Sequence, residues 1–245
     1  MNNIIILTHG WTGSSVFSGL LGRAGYWLGE DTAKKNDYDT FENAELVRLN
    51  QRWMKTVAPD LRYEYRFDAA DLARFSPQAA GHDIGEAQAF IDRCNSRRPW
   101  LWKDPRLTWT IRLWEPMLDF SSVSFLLLTR EPKQAWISAN LRRHVQSWRF
   151  TREYGESVTQ ANLAFVARTG RPHLALSFED LLLKPEDTLS RMNGVFGCQL
   201  RMEDLQAVCR EPLYRRSRGL GDGVKAAMIF IKNFKERDGR SLSAP

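Results

Sequence analysis

At 245 residues, 43% of them apolar and 26% charged, the chain can bury one substantial core, and nothing in its composition demands a second domain. A net charge of +6 leaves a modest surplus of positive potential, yet the basic residues are scattered and form no nucleic-acid recognition motif; a small, highly anionic ligand accounts for the surplus equally well. Three cysteines, Cys94, Cys198 and Cys209, are too few and too separated for a disulfide framework or a zinc site, and they fit a reducing compartment.

The first predicted element is a strand at residues 4–7, Ile-Ile-Ile-Leu, whose β-branched apolar run suits an interior position in a parallel sheet. The run is far too short for a signal peptide or a membrane span and has no basic lead, so a cytoplasmic enzyme is expected. It enters the turn Thr-His-Gly-Trp-Thr-Gly-Ser-Ser at 8–15, where Gly10 and Gly13 give the backbone freedom to curl around a ligand. A helix opens at Ser14 and Ser15, with Val16, Phe17, Leu20, Leu21 and Ala24 on its apolar face. Unpaired amides at such a helix start, with the dipole behind them, form an anion site suited to phosphate. A nucleoside-triphosphate loop would place Lys after the last glycine; here Ser14 follows Gly13, which argues against ATP or GTP.

Residues 34–39 read as a polar loop, followed by helix-period segments at 42–56 and 84–95. A strand at 100–102 precedes Lys103-Asp104-Pro105-Arg106 and a helix at 107–118. The strand at 123–128 ends in Thr-Arg130-Glu-Pro132, and the next helix, 133–144, carries Ser138 two turns in. A guanidinium fork and a hydroxyl converging in this way make a receptor for a phosphate group. Helix 157–168, strand 174–178 and helix 186–196 complete the alternation. Residues 219–223 read as a mobile glycine loop, and the tail at 236–245 as frayed. Strands alternating with helices predict an α/β fold, a single-domain parallel β-sheet flanked by helices, with ligands beyond the carboxyl ends of the strands. Nine tryptophans supply flat apolar surface, most of it for the core and a minority for a cleft.

Four of these segments, in this order, resemble the sulfotransferases that use 3′-phosphoadenosine 5′-phosphosulfate (PAPS). THGWTGSS at 8–15 takes the place of that family's 5′-phosphosulfate loop, and LLLTREPKQAWIS at 126–138 matches its 3′-phosphate motif, with Arg130 and Ser138 at the family's spacing. WLWKDPRL at 100–107 resembles the WKDPR stretch of bacterial members, and LSFEDLLLKPEDTLSRMNGVFG at 176–197 the later YEDL…P…L…FLG segment. The resemblance implies a P-loop-like sulfotransferase architecture, PAPS as co-substrate without a metal, and transfer of a sulfuryl group to a hydroxyl or amine of a small-molecule or saccharide acceptor. It assigns Gly10, Trp11, Thr12, Gly13, Ser14 and Ser15 to the 5′ end of the nucleotide and Arg130 and Ser138 to the 3′-phosphate. A weaker match of RSRGLGDGVK at 216–225 to the loop that covers the nucleotide adds Arg216 and Arg218.

Trp11 stands where the family has a basic residue that compensates charge on the departing oxygen, and Lys103 is the substitute the sequence offers. The general base is open between Asp104, in the turn where cytosolic members carry histidine, and Glu30, in GYWLGEDT, which resembles the base-bearing segment of tyrosylprotein sulfotransferases. His82 is a further candidate, and His9 is expected to pack at the strand end. The stretch 37–43, ahead of Leu49-Asn50, resembles a segment that borders the acceptor site in bacterial members. An ATP-dependent phosphotransferase and a non-catalytic nucleotide- or partner-binding protein on the same fold remain the alternatives, and oligomeric state is open.

Overall fold

A computed structural model describes residues 1–35, 38–79, 84–209 and 219–240. Four parallel strands form the central sheet in the order β4-β1-β5-β6: β1 Asn3–Thr8, β4 Leu101–Lys103, β5 Val123–Thr129 and β6 His173–Ser177. β1 lies between β4 and β5, with Ile4 opposite Leu101 and Ser124, so its backbone is hydrogen-bonded on both edges. All six β1 residues are buried, as its apolar run requires. Alternation sends Ile5, Leu7, Trp102, Phe125 and Leu127 into one layer of core and Ile4, Ile6, Leu101, Leu126 and Leu128 into the other.

Helices α2 (Ala44–Val57), α3 (Ile84–Ser96), α4 (Leu107–Trp114) and α6 (Trp148–Thr169) contribute to the first layer. Helices α1 (Ser14–Arg23), α7 (Phe178–Leu183), α8 (Pro185–Phe196) and α9 (Met202–Cys209) build the second. Trp53, Trp100, Trp102, Trp109 and Trp114 are core residues, four of them in ring contact: Trp100–Trp102 at 4.7 Å, Trp102–Trp114 at 4.8 Å and Trp53–Trp114 at 4.6 Å.

Three segments differ from expectation. Part of the stretch read as a loop at 34–39 belongs to an antiparallel hairpin, β2 (Thr32–Lys35) with β3 (Tyr38–Asn43), laid beside α1 and β4. Its side chains are mostly polar, so no apolar alternation announces it. The glycine loop expected at 219–223 is instead the start of a helix, α10 (Leu220–Lys232), held against α5 (Pro132–Leu141) by Ala226 and Phe230. Packing there outweighs the low helix propensity of Gly221 and Gly223. Residues 236–240, expected to fray, are pinned: Asp238 N donates to Val145 O at 2.9 Å and Asp238 Oδ1 accepts from Ser147 N at 2.7 Å.

Candidate active site

The carboxyl ends of β1, β4 and β5 open into one cleft of about 310 Å³. At its floor the β1–α1 turn is closed by its own hydroxyls, with Thr8 Oγ1 and Thr12 Oγ1 2.5 Å apart and Thr8 Oγ1 3.1 Å from Leu128 O. Of the two glycines expected to bend, Gly13 does so at φ 75°; the other left-handed residue is Trp11 at φ 71°, not Gly10. A side chain is strained in that region, so the turn stores backbone strain at the site. Gly13 is also needed for space, because a Cβ there would overlap the Phe178 ring. Among the described residues no side chain caps α1, whereas Asn43, Glu131 and Ser147 cap α2, α5 and α6. The first turn of α1, Ser14 to Val16, lines the cleft, and its amides have no side-chain acceptor among the described residues.

Arg130 leaves the end of β5 and turns back over the same loop, its Nη1 donating to Trp11 O at 3.1 Å. Its guanidinium lies 4.8 Å from the Phe178 ring centre, and Nε is 3.7 Å from Glu179 Oε1. Ser138, on α5, is only 4% exposed and lines the cleft, and among the described residues its Oγ has no hydrogen-bond partner. A buried hydroxyl left in this state is costly unless a ligand completes it.

Lys103, at the end of β4, is 3% exposed and reaches the opposite side of the loop. Its Nζ lies 2.7 Å from Glu42 Oε1, 3.0 Å from Thr40 O and 3.4 Å from Ser15 Oγ. The hairpin thus delivers Glu42 and Thr40, and the cation sits between a carboxylate and the start of α1. Glu42 fell within the stretch read as bordering the acceptor, but no sequence signal singled it out as Lys103's partner.

Two expected bases stand elsewhere. Asp104 is fully buried and does not line the cleft. Its carboxylate accepts from Asn50 Nδ2, Arg106 N and Arg106 Nη1, and Asn50 in turn accepts from Trp114 Nε1 at 2.9 Å. Burial pushes the Asp104 carboxyl up while Arg106 opposes it. Through these bonds it fastens the start of α4 to α2. Glu30 is 73% exposed, lies outside the cleft and faces Arg97 at 3.4 Å. His9 does pack at the strand end, where burial holds its pKa at about 4 and Nδ1 lies 2.7 Å from Gly10 O. His82, Arg216 and Arg218 lie outside the described residues.

The remaining wall was not legible in the sequence. Tyr63 and Glu64 come from the long connection after α2, His144 from the α5–α6 connection and Tyr154 from α6. The Trp11 indole lies 5.3 Å from the His144 ring, which stacks on Tyr65 at 4.4 Å. Trp11 is thus an aromatic wall of the cleft rather than a charge within it. Among the described residues, no group of His, Cys, Asp or Glu is placed to hold a metal ion.

No protein-family model matches the chain, and no curated protein matches it. Solved structures similar over most of its length include two sulfotransferase domains. One is the sulfotransferase domain from the curacin biosynthetic pathway, 16% identical, with a TM-score of 0.54 over 91% of this chain and 82% of that one. The other is the sulfotransferase domain from the Synechococcus PCC 7002 olefin synthase, also 16% identical, with a TM-score of 0.52 over 94% of each chain.

Proposed function

We propose, from the premise that the chain has the sulfotransferase fold, that it moves a sulfuryl group from PAPS to a hydroxyl or amine of a small-molecule or saccharide acceptor. The observation that carries this reading is the unsatisfied, buried Ser138 hydroxyl in the cleft that also receives Arg130, Lys103 and the uncapped start of α1. Such a cleft fits a ligand that is anionic at two separate points. A nucleoside triphosphate carries all its phosphates on the 5′ oxygen and has no 3′-phosphate for Arg130 and Ser138 to hold.

In this reading the amides of the first α1 turn and the Ser15 hydroxyl hold the 5′ end, while Arg130 and Ser138 hold the 3′-phosphate. PAPS supplies an activated sulfuryl group whose transfer leaves negative charge on the oxygen it departs from. Lys103 is the cation that meets that charge, replacing the basic residue absent at Trp11. Its burial strengthens the effect, because the cleft screens charge less than water does. Glu42, 2.7 Å from Lys103, is the carboxylate best placed to take the acceptor proton, in place of Asp104 and Glu30. Tyr63, Trp11 and Tyr154 supply apolar and aromatic walls for the acceptor.

Titration calorimetry with the desulfated nucleotide PAP and with ATP tests the reading. PAP should bind at least about tenfold more tightly, a gap of about 1.4 kcal/mol from the 3′-phosphate contacts. Equal affinities would overturn the proposal. Incubation with PAPS and a broad acceptor panel should then yield products heavier by one SO₃; PAP binding without any such product assigns the fold a non-catalytic role.

A further inference from the structure

Helix α10 has two faces with different surroundings. Ala226 is fully buried, Phe230 lies edge-on to Trp136 of α5 at 6.1 Å, and a Cβ on Gly223 would touch Ile137. Turned away from α5, Leu220, Val224, Met228 and Ile231 repeat at helical spacing and are between 59% and 89% exposed. Phe234 follows just beyond the helix, 47% exposed. Monomeric proteins rarely leave an apolar stripe of this extent open to water.

The charges around the stripe indicate its partner. At about 100° per residue, Lys225 and Lys232 fall together on one flank of the stripe, and both are exposed. Asp222 projects about 160° away from Val224, off the stripe. Exposed Lys235 and Arg240 outnumber the exposed Glu236 beside them, while Asp238 is turned inward to Ser147 N. No helix among the described residues is long and apolar enough to cross a membrane. A short apolar stripe whose lysines can extend from its side is the pattern of a helix that lies in a headgroup layer.

We propose that α10 docks this protein on an anionic lipid surface, with Leu220, Val224, Met228 and Ile231 entering the interface and Lys225 and Lys232 meeting the headgroups. A second copy of the chain is the competing occupant, and charge opposes it. Antiparallel pairing of two stripes would bring the two lysines of one copy against the same two of the other.

Cosedimentation of the full chain with vesicles tests this, comparing pure phosphatidylcholine with a mixture holding about 30% phosphatidylserine. The protein should sediment with the anionic vesicles and stay in solution with the neutral ones, and about 0.5 M salt should release it. Lys225→Gln with Lys232→Gln should lower the partition coefficient about 25-fold, about fivefold for each charge. Met228→Asp with Ile231→Asp should abolish sedimentation while leaving the thermal melt unchanged, since both positions are exposed. Failure of the wild-type chain to sediment, or full binding by the Asp variant, would overturn the proposal. So would a dimer in light scattering that Met228→Asp splits, which would assign the stripe to self-association.

Discussion

Lys103 carries the largest consequence of any single residue, because it is a buried cation with one carboxylate partner. Lys103→Ala should lower kcat by about 10²-fold or more while changing PAPS affinity by less than about tenfold, since the charge that Lys103 meets develops only as the sulfuryl group departs. Stopped assays and calorimetry on one preparation separate the two effects, and a normal turnover would remove Lys103 from the chemistry. Glu42→Gln should lower kcat by about 10²-fold and Glu42→Asp should restore part of it, whereas full turnover in Glu42→Gln would remove the carboxylate from proton transfer. Arg130→Ala should weaken PAP binding by about 1.5–3 kcal/mol, and Ser138→Ala by about 0.5–1.5 kcal/mol with little effect on ATP. Lys103 and Arg130 were readable because each lies at or just after a strand whose apolar run marks it, and Ser138 because it follows Arg130 at a fixed spacing two turns into the next helix. Glu30 could not be placed in that way: it sits in irregular chain, and only the three-dimensional path shows that it turns outward to Arg97.

Among the elements, the four sheet strands and the helices between them were legible because burial on both faces writes continuous apolar runs and helical periods into the chain. The hairpin β2–β3 was not, since its stability rests on hydrogen bonds such as Thr32 Oγ1 to Asp39 Oδ2 at 2.5 Å rather than on a buried face. Helix α6 begins at Trp148, nine residues ahead of the expected start, because Ser147 accepts from Phe150 N and fixes the first turn there. The β1–α1 turn gives the sharpest test at this scale. Gly13→Ala adds a Cβ at a left-handed position into the Phe178 ring, and it should cost about 1–3 kcal/mol in a denaturant melt as well as PAP binding. An unaltered midpoint with intact binding would show that the turn relaxes freely. Across the sheet layer, Trp114→Phe leaves Asn50 Oδ1 without its donor and should destabilise the fold by about 1–3 kcal/mol.

For the molecule as a whole, acid stability should follow His9. Its pKa in the folded chain is held at about 4 by burial, below the ordinary 6.5, so the unfolded chain binds a proton that the folded chain refuses. Stability is complete above about pH 6.5 and falls as the pH drops toward 4, by about 3 kcal/mol in all. Urea midpoints measured between pH 7 and pH 4 should show this decline, and His9→Gln should flatten it. One ring joins these scales: Phe178 lies against Gly13 and also under the Arg130 guanidinium. The two grips proposed for the nucleotide therefore share a single spacer, and neither can shift without the other. A smaller residue at 178 should blur the length of ligand the protein accepts before it weakens either grip, as a worn stop on a calliper spoils every measurement at once.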